Sequence, residues 1–525
     1  MNALNRQSGQ LQQRSDSSHI AFDELPSPSS LSPTKAQTSV LPLIAQLCQQ
    51  LNQRQLNYCH WKSNAALDRS ANGKNDLDLL IARSDVQEFT AILYGLGFKD
   101  ARLPTVRELP GILNYYGYDQ ATEKFVHVHA HYQLILGHDT TKNYRLPIEE
   151  AYLQSSTIVG NLFKVPSLEF EYIVFVMRMI LKHSSWDSIL GFQGALTSTE
   201  QQELDFLTTQ IDDAQVALIL QQHLPFIDIH QFQIWARSLQ PGYSKLSRML
   251  VHQQLLSVLK AHGRQPHWQD ISLKIWRRFV WGVRRYVFQQ RTRKRFASGG
   301  LMIAIVGGDG SGKSTAVNEL SQWLGKKIET NQVHLGKPPW SLTTFVLRAL
   351  SKAGRALGMM PKQHISVQSL GNNSLHRFPG YLWLLRHVFM ARDRYRLYRA
   401  ARRWATNGRV VICDRYPLPQ IKLMDGIQAG IIPNSMNTNR LVRFLINVEA
   451  QFYSHVLPPD IVIVLKVDPD IAAQRRPEDD PDWIRDRSQE IWNIDWSQDN
   501  CHVIDAGQPQ EKVLADIKAL VWSQL

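Results

Sequence analysis

The 525-residue chain holds only four cysteines, Cys48, Cys59, Cys413 and Cys501, and no two stand at CxxC spacing. Neither a disulfide framework nor a cysteine zinc site is therefore indicated. No run approaches the ~20 uninterrupted apolar residues that a membrane-spanning helix needs. The Gln/Ser-rich start lacks the apolar segment of a secretory signal, so a cytoplasmic location is expected. Internal repeats are absent. Acid is scarcer than base, with 46 Asp and Glu against 59 Lys and Arg, a formal net charge of +13. That balance suits phosphorylated substrates, nucleic acid or an anionic membrane surface without choosing among them. What is present is a 43% apolar composition, enough for a substantial core.

The length suggests about three domains at ~150 residues each. Residues 1–40 are rich in Ser, Gln and Pro (Pro26-Ser27-Pro28-Ser29-Ser30) and read as a disordered tail. Residues 41–150 open with a helical pattern (Leu43, Ile44, Leu47, Cys48, Leu51). Short predicted strands follow at Tyr58–Trp61, Leu77–Ile81 and Phe125–His131. From 151 to 297 the pattern is helical, and Ser298-Gly299-Gly300 reads as a hinge. Residues 298–525 alternate between the two patterns, with strands at 301–306, 410–413, 460–467 and 502–504 and helices at 314–325 and 381–406. That order predicts an α/β fold with a parallel sheet and helices on both faces.

Gly307-Gly308-Asp309-Gly310-Ser311-Gly312-Lys313-Ser314 follows the apolar run Leu301–Val306 directly. This is G-x-x-x-x-G-K-[ST] between a strand and a helix, the context of a phosphate-binding loop. Its glycines let backbone N–H groups turn toward a polyphosphate, and the helix start adds partial positive charge. Lys313 would reach the β- and γ-phosphates, and the Ser314 hydroxyl would ligate Mg²⁺, with Thr315 beside it. A nucleoside triphosphate, ATP as phosphoryl donor, is the expected ligand. Val410–Cys413 would deliver Asp414-Arg415-Tyr416 to the same sheet edge, where ligands gather in such folds. Asp414 could hold Mg²⁺ through water and Arg415 a second phosphate.

Together these residues resemble the thymidylate kinase family of nucleoside monophosphate kinases. So do Val462–Val467 with Asp468-Pro469, the run Ala473-Gln474-Arg475-Arg476, and Val503-Ile504-Asp505-Ala506 near the end. The resemblance covers about 298–525 and implies a P-loop kinase. It would set Asp309 toward the acceptor's sugar and Arg415 toward its phosphate. Arg394 would be a second acceptor-binding arginine, and Arg475, Arg485 and Arg487 a lid over the transferred phosphoryl group. No Phe-Pro-x-Arg follows the loop helix, where Gly336-Lys337-Pro338-Pro339 stands instead. After Tyr416 comes Pro417-Leu418-Pro419-Gln420 rather than the family's thymine-holding segment. The acceptor therefore stays open between dTMP and another small metabolite.

At the front, Asp76-Leu77-Asp78 puts two carboxylates on one strand face. Paired carboxylates of this kind hold two Mg²⁺ ions in nucleotidyl transfer. With Tyr58-Cys59-His60-Trp61-Lys62-Ser63-Asn64 upstream, residues 41–150 resemble the minimal nucleotidyltransferase fold, an α+β domain. Asp76 and Asp78 would then be its metal ligands. The family's turn glycine is missing, and His127, His129 and His131 stand where the third acid is expected. Those histidines share a strand face and could serve as metal ligands, bind phosphate, or form a solvent-facing edge.

A basic aromatic stretch, 274–295, links the two parts: Lys274-Ile275-Trp276-Arg277-Arg278-Phe279-Val280-Trp281, then Arg284-Arg285-Tyr286 and Arg291-Thr292-Arg293-Lys294-Arg295. Its expected role is an interdomain helix packing its aromatics on a neighbour. Peripheral membrane contact is open but not favoured, nucleic acid is not favoured, and a homodimer is allowed. The leading functional reading is an ATP-dependent phosphotransferase with a small-molecule phosphoryl acceptor. The alternatives are a nucleotide-binding regulatory or assembly protein, and a bifunctional kinase and nucleotidyltransferase in sugar or polysaccharide precursor activation.

Overall fold

The computed structural model describes residues 40–103, 108–109, 111–183, 196–287, 293–356, 381–421, 426–427 and 439–525. The expected disordered tail lies outside these, apart from residue 40. Among the described residues no helix is long and apolar enough to cross a membrane. The chain is a mixed α/β structure built on two sheets, with many helices.

The first sheet comprises β1 (Tyr58–His60), β2 (Leu77–Ile81), β3 (Lys99–Arg102), β4 (Ile112–Asp119) and β5 (Lys124–His131). Two short hairpins follow, β6 (Leu134–Leu136) with β7 (Tyr144–Leu146), and β8 (Thr157–Val159) with β9 (Phe163–Val165). A sixth strand, β10 (Arg295–Phe296), joins the first sheet from far along the chain, giving the order β1-β2-β5-β4-β3-β10. Only β2 and β5 run parallel; the other neighbours are antiparallel. The helix Pro42–Gln53 forms because Leu43, Ile44, Leu47, Cys48 and Leu51 recur at helical spacing and all bury against this sheet. The helices of 168–258 pack in a second core around Tyr152, Phe175, Phe232 and Trp235, which also takes in Cys59 and Leu80 of the first sheet.

The second sheet comprises β11 (Met302–Gly307), β12 (Thr330–His334), β13 (Val410–Asp414), β14 (Ile461–Lys466) and β15 (Cys501–Asp505). All five are parallel, in the order β12-β13-β11-β14-β15. Every residue of β11 is buried, as helices on both faces demand of a central parallel strand.

The expected hinge is bonded on both sides. Ala297 N–H donates to Asp100 O at 3.0 Å, and Gly300 N–H donates to Ala405 O at 2.8 Å. A Cβ at Gly300 would stand 1.9 Å from Arg409 O, so glycine is required there by close approach. The two sheets also share a core. Tyr118 and Phe125 of the first pack against Trp323 and Trp522 from helices Lys313–Gly325 and Gln510–Gln524, with ring centroids 4.9–6.1 Å apart.

Candidate functional site

The carboxyl ends of β11, β13, β14 and β15 lie along one edge, with Ile305 beside Asp414 and Lys466 beside Asp505. The glycine loop turns from β11 into the helix Lys313–Gly325 there. Gly310 and Gly312 hold φ of +81° and +86°, a left-handed geometry that side chains resist. A Cβ at Gly310 would also meet Ala472 O at 2.6 Å. Gly307 ends β11, and Gly308 packs on Ser488. Ser314 and Thr315 face outward from the first helical turn, while Ser311 is buried.

Lys313 is buried, and its ammonium donates to Gly308 O at 2.5 Å. Its Nζ lies 3.7 Å from Asp309 Oδ1. Burial pushes the Lys313 pKa down to about 8, and Arg415 adds to the depression while Asp309 and Asp414 oppose it. Asp309 is equally buried. Arg487 donates to its Oδ2 at 2.6 Å, and Arg415 stands 3.8 Å from its Oδ1. Burial alone would raise the Asp309 carboxyl, but Lys313, Arg487 and Arg415 outweigh it and hold the pKa below its ordinary value. Asp414 ends β13 beside this cluster, its Oδ1 buried and without a hydrogen-bond partner among the described residues. Arg415 follows it with φ of +55°, an uncommon conformation for a side-chain-bearing residue.

The three arginines expected as a lid go different ways. Arg487 enters the cluster and stacks on Trp483 at 4.1 Å. Arg475 sits behind the loop, donating to Ala506 O at 3.0 Å and Gly310 O at 3.5 Å. There it lines a cavity of about 270 Å³ with Ser311, Thr315, Leu465 and Gln508. Arg485 does not join them: it is exposed and ion-paired with Asp470 at 2.8 Å and Asp482 at 3.1 Å. Residues two apart on a helix point to different sides, which separates Arg485 from Arg487. Arg394 is buried and holds protein groups, donating to Leu335 O at 2.7 Å and Gly336 O at 3.3 Å and contacting the Tyr453 hydroxyl. Gln508, absent from the sequence-based site, follows the Asp505-Ala506-Gly507 turn at the end of β15, and that turn was its signal.

In the first sheet Asp76 and Asp78 face the histidines of β5 but not as one pair. Asp76 Oδ2 stands 2.8 Å from His127 Nδ1, while Lys294 and Asn114 lie 3.0 Å from His127 Nε2. Burial pushes His127 down to about 4 and Lys294 down to about 8. Asp78 Oδ1 stands 2.8 Å from Lys62 Nζ, 3.0 Å from His129 Nδ1 and 3.8 Å from His131 Nε2. Burial would raise Asp78, but Lys62, His129 and His131 hold it well below the usual carboxylate range. The amides of the turn before β2 are taken up by carboxylates: Ser63 N–H donates to Glu203 and Asn64 N–H to Glu171, each at 3.1 Å.

The basic aromatic helix His267–Gly282 faces the opposite way from expectation. Arg277 is buried and donates to Thr140 O at 2.5 Å and Glu108 O at 3.3 Å. Trp268, Ile275, Trp276 and Phe279 are exposed. Satisfying those two loop carbonyls fixes the arginine side inward and turns the aromatic side out. Residues 288–292 of this stretch lie outside the described residues.

No protein-family model matches the chain. Over 226 residues it is 25% identical to a protein of Escherichia coli strain K12 named "Uncharacterized ATP-binding protein YghR". The match covers 42% of this chain and 86% of that protein. The protein of the same name from E. coli O6:H1 matches over the same lengths at the same identity. The name of each records ATP binding.

Proposed function

We propose that residues 298–525 form a phosphate-loop kinase resembling thymidylate kinases, which moves the γ-phosphoryl group of ATP to a small acceptor. The observation that carries this reading is the convergence of Lys313, Arg415 and Arg487 on Asp309 at the mouth of the glycine loop. Three cations meet one carboxylate there, with Asp414 adjoining, and a cluster of cations at a glycine loop suits a polyphosphate. ATP binding is supported further by the name of the two relatives.

In this reading the loop amides and Lys313 hold the β- and γ-phosphates. The cavity behind the loop, lined by Arg475 and Gln508, takes the nucleoside. Arg415 and Arg487 face the transferred group and the acceptor. The bond from the γ-phosphorus to its bridging oxygen breaks, and a bond to an acceptor oxygen forms. Once Lys313 and Arg487 have turned from Gly308 O and Asp309 to the phosphates, developing charge is met by cations already held at the loop mouth. The residues also fit Mg²⁺, because Asp414 Oδ1 is a buried oxygen without a hydrogen-bond partner among the described residues and Ser314 is exposed in the first turn of the loop helix. Ser314 and Asp414 would hold the ion, which when bound neutralises phosphate charge.

One observation favours a regulatory role beside this. The loop helix buries Trp323 against Tyr118 and Phe125, so a change at the loop has a packed route into the first sheet. That sheet serves in our reading as a nucleotidyltransferase-like module. With the turn amides occupied by Glu203 and Glu171, recognition is favoured over nucleotidyl transfer.

The test is to incubate the full chain with γ-labelled ATP and a panel of nucleoside monophosphates, nucleosides and sugars. One labelled acceptor is expected, with transfer lowered roughly 10²–10³-fold in Lys313→Ala. Wild-type transfer by that variant overturns the kinase reading. Release of labelled phosphate with no acceptor labelled favours the regulatory one.

A further inference from the structure

The cluster in the first sheet carries an inference independent of the kinase reading. We propose that Asp78, His129 and His131 form a three-ligand site for a zinc-class divalent ion, with a fourth position open on the Lys62 side.

The donor atoms are placed for it. His129 Nδ1 lies 3.0 Å from Asp78 Oδ1, His131 Nε2 lies 3.4 Å from His129 Nδ1, and His131 Nε2 lies 3.8 Å from Asp78 Oδ1. Ligand atoms ~2.1 Å from a tetrahedral ion stand about 3.4 Å apart, a spacing these three distances bracket. The sheet fixes that triangle, because Asp78 pairs in register with His129 across parallel strands and His131 follows on the same face.

Hydrogen bonding alone leaves the triangle poorly satisfied. His131 is 1% exposed. Its Nε2 has only a long 3.4 Å contact with another imidazole and a 3.8 Å approach to a carboxylate already engaged by Lys62. Buried polar groups are seldom left so. An ion at the centre gives Nε2 a partner. His127 is excluded, since Asp76, Lys294 and Asn114 occupy both of its nitrogens.

The donor set chooses the ion. Two imidazoles and one carboxylate suit zinc and its neighbours, whereas magnesium takes oxygen. An all-carboxylate magnesium pair of Asp76 and Asp78, the expectation from the nucleotidyltransferase resemblance, is therefore replaced by a mixed site using Asp78 alone. Lys62 competes for Asp78 Oδ1 when no ion is bound. On metal entry its ammonium remains close enough to pair with an anionic fourth ligand, such as hydroxide or a phosphate oxygen.

The test is cobalt titration of the chelator-treated full-length protein, followed by visible absorbance. One Co²⁺ per chain with tetrahedral-type absorbance is expected, displaced by Zn²⁺ and untouched by excess Mg²⁺. His131→Gln and Asp78→Asn should weaken binding at least ~100-fold, beyond the effect of losing an outer-shell partner. His127→Gln should retain it, and Lys62→Ala should tighten it by removing the competing cation. If His131→Gln fails to fold, His129→Gln at the more exposed position supplies the same comparison. No Co²⁺ uptake by the wild type overturns the site, as does binding that survives in both Asp78→Asn and a histidine variant. Weaker binding in Lys62→Ala counts against the proposed competition. Inorganic phosphate bound by the metal-free protein without any Co²⁺ uptake overturns the proposal in favour of an anion site.

Discussion

Arg487 and Asp309 meet at 2.6 Å across 178 positions of sequence, and their contact closes the helix Pro481–Asn493 onto the glycine loop. The carboxylate does not stand alone with this arginine, since Lys313 and Arg415 approach its other oxygen. Asp309 thus holds together the cations that a phosphate chain would otherwise attract. A ligand bearing several negative charges has to draw Lys313 away from Gly308 O and share Arg487 with Asp309.

That arrangement separates two neighbouring arginines. Arg487→Ala should lower phosphoryl transfer roughly 10²–10³-fold, because it removes a half-buried cation at the loop mouth. Arg485→Ala should leave kcat unchanged, since its partners are the exposed Asp470 and Asp482. Steady-state kinetics on both variants check this. Equal losses would mean that the helix moves as a lid and brings Arg485 in.

Lys313 gives the site a pH dependence. Burial lowers its pKa to about 8. The protonated form binds phosphate, and bound phosphate in turn favours that proton. ATP affinity should therefore be full below about pH 8 and decline as pH rises through that value. Lys313→Arg keeps its charge throughout the range, so the decline should vanish in that variant. Calorimetric titration of ATP between pH 7 and about pH 10 makes the comparison. Parallel profiles for both proteins would place the titration elsewhere.

Much of this site was legible because its residues obey local rules. Met302–Gly307 and Ile461–Lys466 are nearly continuous apolar runs, the mark of strands buried on both faces. The glycine loop carries its own backbone geometry in its spacing. No apolar pattern marks Thr330–His334, because it is an edge strand in which only Val333 is buried. The Ser298–Gly300 segment resembled a hinge by composition, yet Gly300 is there for close approach to Arg409. Arg277 and Arg394 read as surface or ligand-binding cations, and both are instead buried and donate to backbone carbonyls. Such tertiary partners leave no trace in sequence spacing. Arg485 is different, since its position two residues from Arg487 already set it on another side of the helix.

The shared core between the sheets leads to the last prediction. Trp522 is buried among Tyr118, Phe125, Phe296 and Trp323, and its indole N–H donates to Gly97 O at 3.0 Å. Truncation to alanine should destabilise the protein by about 3–5 kcal/mol, the range for deleting a large buried aromatic. Because the ring joins first-sheet aromatics to Trp323 of the loop helix, the loss should fall on both parts together. Thermal unfolding of wild type and Trp522→Ala, followed by phosphoryl transfer and by cobalt absorbance from the first sheet, should show the two signals failing at one lowered temperature. If phosphoryl transfer fails early while the first-sheet signal keeps its wild-type midpoint, the two sheets are separate cooperative units and the aromatic contact does not couple them.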